Sequence, residues 1–262
     1  MLHPFMTAEL VRQQRAAQDA EFRNQRLVRQ LQPRARADPG SGRMVPEKLY
    51  ARIGGRSMLA DTETEGPIDQ SPLPVPTLRA RWRAETLPTL RGDLLDVGAG
   101  LGNSLSYLSR DARVVCLEPH AASVRTLEYL AGRRPGTRVL QARAERIPLG
   151  DASVDAAICC AVLCSVTDQD RALGEIHRVL RPGGRLVLVE HVVAPRGTWT
   201  RRGQRLVAPF SRWFDHGCDP ARDTEAALAR SPFTVVELKR TGARGPFGTT
   251  MPHLTGVAVR AT

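Results

Sequence analysis

Lysine is almost missing from this chain. Only Lys48 and Lys239 occur, and every other residue among the 38 basic ones is arginine. Together with many Ala, Gly and Pro, that bias is the mark of GC-rich codon usage. Part of the formal net charge of +11 therefore reflects codon habit rather than a polyanionic partner. Aromatic residues are scarce as well, at 5%, which leaves few rings for stacking nucleobases. No Asn/Asp-Pro-Pro-Tyr-type tetrapeptide is present to hold a base amine, so a nucleic-acid substrate is not expected. Long apolar runs are lacking too. No stretch approaches the ~20 residues of a membrane span, and residues 1–14 have no signal-peptide core. The expectation is a soluble, cytoplasmic chain whose membrane contact is at most peripheral. The five cysteines (Cys116, Cys159, Cys160, Cys164, Cys218) are odd in number and lack the paired Cys-x-x-Cys spacing of a zinc site. Free thiols in a reducing compartment, and no metal, are expected.

What is present sorts into an irregular front and a regular back. Residues 7–31 predict a helix, with Thr7 at its cap, Pro33 just beyond its end, and a partial stripe of Leu10, Val11, Phe22, Leu27, Val28 and Leu31. A linker follows, "ADPGSGRMVPEK", and then a second proline-rich joint, "GPIDQSPLPVPTLR". Residues 78–87 read as one helix. From Asp93 onward, short apolar runs at 94–97, 113–117, 138–140, 154–160 and 185–189 predict buried parallel strands. Helices are expected at 102–110, 120–132 and 169–180, and two further strands in "FTVVELKR" and "TGVAVR". This alternation is that of a doubly wound α/β sheet. The expected division is an N-terminal helix and linker (1–45), a lid or cap segment (46–92) and a sheet domain (93–262) with a lid insertion at about 195–220.

The turn after the first regular strand, "DLLDVGAGLGN", carries the chemistry. Ligands of such sheets sit beyond the carboxyl ends of the strands. Gly98, Gly100 and Gly102 give G-x-G-x-G, and Asn103 stands where the dinucleotide fingerprint wants its last glycine. Asp96, two residues before the turn, would repel a pyrophosphate but suits a ligand bearing an ammonium and a sulfonium. The turn speaks against a nicotinamide dinucleotide.

D-x-G-x-G-x-G at the end of a first strand resembles the first motif of class I S-adenosylmethionine-dependent methyltransferases. The resemblance implies a Rossmann-like sheet of seven strands with the last antiparallel, here carrying an N-terminal helical extension, and S-adenosylmethionine as cofactor. It places Asp96, Gly98, Ala99, Gly100 and Asn103 around the methionine end. Glu118, closing "VVCLEPH" 22 residues on with Pro119 behind it, would accept hydrogen bonds from both ribose hydroxyls. In "ARAERIPLGDASVDAAICC" many members carry an acid where Arg143 stands. Adenine recognition then falls to backbone amides around Ala144 and Glu145, or to Glu145 itself. Cys160 and Ala161, at the exit of the next strand, should face the methionine part.

The acceptor is a separate question. The runs "CAVLCSVTD", "EIHRVLRPGG", "VEHVVAPRGTW", "GCDPARDT" and "MPHLTGVAVR" are similar to alkyl-thiol S-methyltransferases, and to bacterial phospholipid- and ubiquinone-type methyltransferases. The implied function is methyl transfer to a small-molecule acceptor by direct displacement. The alternative is a peripheral phospholipid or quinone methyltransferase. A non-catalytic binder would be expected to have lost Asp96, a turn glycine or Glu118, and none is lost. His191, next to Glu190 after the fifth strand, is the first candidate for a base, and the other reading is a strand cap or lid anchor. His253 and His216 are weaker candidates. In "WTRRGQRLVAPFSRWF" a basic amphipathic pattern fits either a lid, with Trp199, Phe210, Trp213 or Phe214 facing the pocket, or an anionic membrane surface. The N-terminal helix could pair two copies into a homo-oligomer.

Overall fold

The computed structural model describes residues 69–214, 217–244 and 250–262. The helix expected at 7–31, its linker and His216 lie outside the described residues. Among the described residues, eight strands form one sheet in the order β1-β7-β8-β6-β5-β2-β3-β4. They are β1 (Asp69–Pro74), β2 (Asp93–Val97), β3 (Arg113–Leu117), β4 (Thr137–Leu140), β5 (Val154–Cys160), β6 (Leu180–His191), β7 (Phe233–Arg244) and β8 (Thr250–Arg260). Five of them, β2 to β6, run parallel, and β8 inserts antiparallel between β6 and β7. The seven expected strands are thus present with the last antiparallel. The eighth, β1, adds itself parallel to the edge of β7. Its sequence, DQSPLP, holds two prolines and no alternation, which only an edge strand tolerates, so no pattern announced it.

Because successive side chains of a strand face opposite ways, each central strand feeds two cores. Leu95, Val97, Ala157, Cys159, Leu186 and Leu188 pack on one face against Leu173, Ile176 and Leu228. Leu94, Ala156, Ile158, Val187 and Val189 pack on the other with Trp82, Leu87, Leu105 and Leu127. The helices follow the pattern that made them predictable. In α3 (Gln169–Val179) the Asp168 carboxylate accepts from Arg171 N at 3.0 Å, and Ala172, Leu173, Ile176 and Val179 form its buried stripe. The others are α1 (Val75–Thr86), α2 (Ala121–Ala131), α4 (Trp199–Phe214) and α5 (Thr224–Arg230).

Two expectations are corrected. Residues 102–110 are no helix but successive turns, closed by Gly102 N to Ala99 O, Leu105 N to Gly102 O and Tyr107 N to Ser104 O. Gly102 has φ +78, outside helical space, and its bare Cα lets Leu130 of α2 come within 2.8 Å of where a Cβ would stand. The last parallel strand is also longer than 185–189. Its register jumps from Val154↔Leu180 to Ala156↔Arg185, so Pro182-Gly183-Gly184 bulges out while pairing resumes on both sides.

Candidate methyl-donor site

The predicted ligand-facing segments all leave the carboxyl ends of the parallel strands β2 to β6. The turn after β2 holds Gly98 at φ +59 and Gly100 at φ +55. A Cβ on Gly98 would stand 2.8 Å from Val162 Cγ2, so the position is closed by packing. On Gly100 a Cβ would meet only Gly98 O at 3.9 Å, so the turn offers bare backbone to an open space there. Ala99 N donates to Leu117 O at 3.0 Å, tying the turn to the end of β3.

Glu118 holds that turn. One carboxylate oxygen accepts from Gly100 N at 2.9 Å, and the other accepts from His120 N at 2.9 Å and faces His120 Nδ1 at 2.9 Å. Asp96, 1% exposed, accepts from Ser104 Oγ through Oδ1. Its Oδ2 is buried without a hydrogen-bond partner among the described residues. Burial pushes the Asp96 carboxyl up to about 7, against the pull of the Arg83 charge and the Ser104 hydroxyl, while the Glu118 charge adds to the rise. An orphaned, desolvated carboxylate oxygen beside bare glycine backbone is a seat for a small cationic group.

The remaining predicted residues distribute unevenly. Asn103 and Pro119 are half-buried on the flanking turns, and Ala144 is buried. Glu145 is already engaged, with one oxygen accepting from Thr167 N at 2.6 Å and the other 3.7 Å from Arg143 Nε. Cys160 is half-buried, and burial pushes its thiol pKa up. Ala161 leaves β5 at φ +59, a strained conformation for a residue with a Cβ, while its N donates to Val189 O at 2.8 Å. Glu190 and His191 turn to opposite sides. Glu190 takes the amides of Val162, Leu163 and Cys164 at 2.9, 3.0 and 3.3 Å. His191 lies 2.9 Å from Arg79 Nη2 through Nε2, with Nδ1 3.6 Å from Cys218 Sγ and its ring 4.5 Å from that of His253. Burial, the Arg79 charge and His253 hold the His191 pKa well down.

Arg79 and Arg83 reach predicted site residues, His191 and Cys160, and no sequence motif singles them out. They stand four apart on α1, and Arg83 Nη2 donates to Cys160 Sγ at 3.2 Å. Their i,i+4 spacing on a helix preceding the glycine turn is lost among many other arginines.

Comparison with known proteins decides the family. Residues 95–188 match the family described as a methyltransferase domain. The thiol S-methyltransferase TMT1A of Homo sapiens is 34% identical over 177 residues, 66% of this chain and 72% of that protein. The chain belongs to the class I S-adenosylmethionine-dependent methyltransferases. An uncharacterized methyltransferase of Mycobacterium tuberculosis is 37% identical over 154 residues, 58% of this chain and 57% of its own length. The fold is also that of a geranyl diphosphate methyltransferase solved in complex with SAM. That structure aligns with TM-score 0.56 at 19% identity, over 70% of this chain and 85% of that one. The cofactor of this methyltransferase is S-adenosylmethionine. The residues of this site fit it: the unpartnered Asp96 oxygen matches a ligand with an ammonium and a sulfonium, and the open face at Gly100 admits it without a Cβ in the way.

Proposed function

We propose that this methyltransferase transfers the methyl group to a small-molecule acceptor, with a thiol as the acceptor class of first choice. The single observation that carries the donor half is the buried, unpartnered Asp96 oxygen at the mouth of the glycine turn. The thiol half is supported by the name of the human relative. When bound, the cofactor supplies an electrophilic methyl group on a sulfonium. The chain has to hold and orient the reactants, and near-attack placement alone contributes up to ~7–11 kcal/mol. Asp96, Gly98, Ala99, Gly100 and Asn103 take the methionine end, with Cys160 and Ala161 beyond it. Glu118 and Pro119 take the ribose, and Ala144 the adenine through its backbone. Glu145 is held by the 167–168 turn, which favours the backbone over its side chain.

His191 is poorly disposed as a base. Arg79 can only donate, so His191 Nε2 accepts and Nδ1 carries the proton towards Cys218. This arrangement supports an anchoring role. Glu118→Ala should remove two charge-assisted hydrogen bonds to the ribose, each about 1.5–3 kcal/mol. Calorimetry should then show at least about tenfold weaker S-adenosylmethionine binding, with unchanged circular dichroism. Undiminished binding would remove Glu118 from the site. Incubating the protein and S-adenosylmethionine with thiols, amines, phenols and lipids, with detection of the demethylated product, tests the acceptor.

One observation favours the lipid-surface reading. Of the four aromatics expected over the pocket, Trp199, Phe210 and Trp213 are 82%, 66% and 73% exposed, with Leu206 and Val207 also outward, and the Phe214 side chain lies outside the described residues. The helix instead docks by its small and polar side. Gln204 accepts from Ala194 N at 2.7 Å and donates to Val192 O at 3.1 Å, and Ala208 is buried. Five outward apolar side chains among arginines, with no acid on the helix, suit an anionic interface. Sedimentation with anionic vesicles should pull the protein down. Neutralising Arg202 and Arg205 should release it, and indifference to vesicles would remove this reading.

A further inference from the structure

Cys164, His191 and Cys218 lie in three distant parts of the chain, yet their ligand atoms all fall within 4.8 Å of one another. We propose that they bind a thiophilic cation of zinc type, through two thiolates and one imidazole, with a fourth position open. The distances carry this. Cys164 Sγ and Cys218 Sγ are 3.7 Å apart, and Cys218 Sγ is 3.6 Å from His191 Nδ1. Tetrahedral coordination with Zn–S of about 2.3 Å and Zn–N of about 2.0–2.1 Å has edges of about 3.8 Å and about 3.6 Å. Two of the three edges already stand at those lengths, and the third, Cys164 to His191, lies within 4.8 Å and closes on the ion by a side-chain adjustment of about 1 Å.

Each arm is fixed by its own supports. The Glu190 carboxylate gathers the amides of 162–164 and so sets Cys164. The loop carrying Cys218 is stitched to the same turn by Asp219 N to Cys164 O at 2.9 Å and Arg222 Nη2 to Val166 O at 2.8 Å. Gly217, at φ +87, permits the approach, since a Cβ there would come within 2.9 Å of Ser165 O. A second observation points to a ligand in this corner. His253 Nδ1 lies 3.0 Å from Met251 O, which can only accept, so its Nε2 is a bare lone pair. That atom is fully buried without a partner among the described residues, on a ring 4.5 Å from His191. Sequence spacing could not show the cluster, because 54 residues separate the cysteines and 27 separate Cys218 from His191.

Binding balances as follows. Both thiols lose their protons to solvent, and two thiolates offset the two positive charges. The His191 proton moves from Nδ1 to Nε2, so Arg79 must leave its 2.9 Å contact. The group is then neutral, with three protein ligands and one open position, the layout of catalytic rather than structural zinc sites. That an acceptor thiol takes the open position, releasing its proton to solvent and held there as its thiolate, rests on the thiol reading above.

The test uses the full chain, reduced and stripped with a chelator, then titrated with zinc or cobalt(II). One equivalent should bind. The cobalt form should show the thiolate-to-metal charge-transfer band and strong visible bands of tetrahedral coordination. Cys164→Ser and Cys218→Ser should each weaken zinc binding about a hundredfold or more and lose the band. Cys116→Ala, remote from the cluster, should keep both, and circular dichroism checks that every variant is folded. No stoichiometric metal in the native chain, or an unchanged cobalt spectrum in both cysteine variants, would overturn the site. Adding a small alkyl thiol should strengthen the charge-transfer band. Metal bound with no response to the thiol would overturn the open-position role alone. A thiol methylated equally well by metal-free protein would do the same and leave the methyltransferase reading standing.

Discussion

Asp96→Asn should make the cofactor-free protein more stable at pH 8 while destroying its affinity for S-adenosylmethionine. The carboxyl is fully desolvated and titrates at about 7 in the folded chain, against 3.8 when exposed. Its folded pKa is raised, so the native state holds the proton more tightly than the unfolded state. Stability therefore falls as pH rises from about 4 to about 7, and the whole loss is present above that window. At 1.36 kcal/mol for each factor of ten, it is on the order of 4 kcal/mol. Asparagine cannot ionise and recovers part of this, less the desolvation of an amide whose nitrogen stands where Oδ2 now lacks a partner. The same ionised oxygen is what a cationic ligand needs. Native affinity should thus climb with pH up to about 7, and that of the asparagine variant should be flat and at least about a hundredfold weaker, a loss of about 3 kcal/mol. Thermal melts at pH 4 and pH 8, with and without cofactor, test both halves. A variant less stable than native at pH 8, or one binding the cofactor with native affinity, would mean that Asp96 is not a strained seat held ready for charge.

The sequence was most legible where one short-range rule acted alone. The strands at 113–117 and 154–160 come out with the expected ends because each is apolar and buried on both faces apart from one charged residue near its start, Arg113 and Asp155. The glycine turn was legible because three glycines at alternate positions need φ values that few other residues adopt. The same glycines misled at 102–110, where the residues after the turn have helical composition but Gly102 spends its freedom on a left-handed φ. What stayed hidden depends on partners far away in sequence. Nothing local in DQSPLP says that it will edge β7, or that Arg79 will reach a histidine 112 residues on. The stripe of α4 was read correctly as amphipathic, but periodicity cannot tell which side docks. Gln204 settles that by bonding to the exit of β6, with Ala208 buried on the same side of the helix.

Glu190→Ala should be among the most destabilising single substitutions in the sheet. The residue is fully buried, and its carboxylate accepts three consecutive backbone amides from Val162, Leu163 and Cys164. Those amides belong to the chain leaving β5, where Ala161 has just taken a left-handed φ and the strand can no longer supply acceptors. Truncation leaves three buried N–H groups facing a cavity. At about 1–3 kcal/mol for each orphaned donor, with the cavity term added, the loss is on the order of 5 kcal/mol. Glu190→Gln separates the contributions. Its amide keeps one oxygen, enough for Val162 and Leu163, but sets an NH2 against Cys164 N, so it should lose about 1–3 kcal/mol. Urea melts should therefore rank native above glutamine above alanine, with the glutamine step the smaller. Equal losses for the two variants would show that charge rather than amide acceptance is what Glu190 contributes. A neutral alanine variant would show that the 162–164 turn finds its acceptors elsewhere. Cofactor affinity at low temperature, where the alanine variant remains folded, should fall with it. The same turn supplies Val162, whose methyl groups wall the backbone of Gly98, so losing the carboxylate loosens the far side of the glycine turn as well.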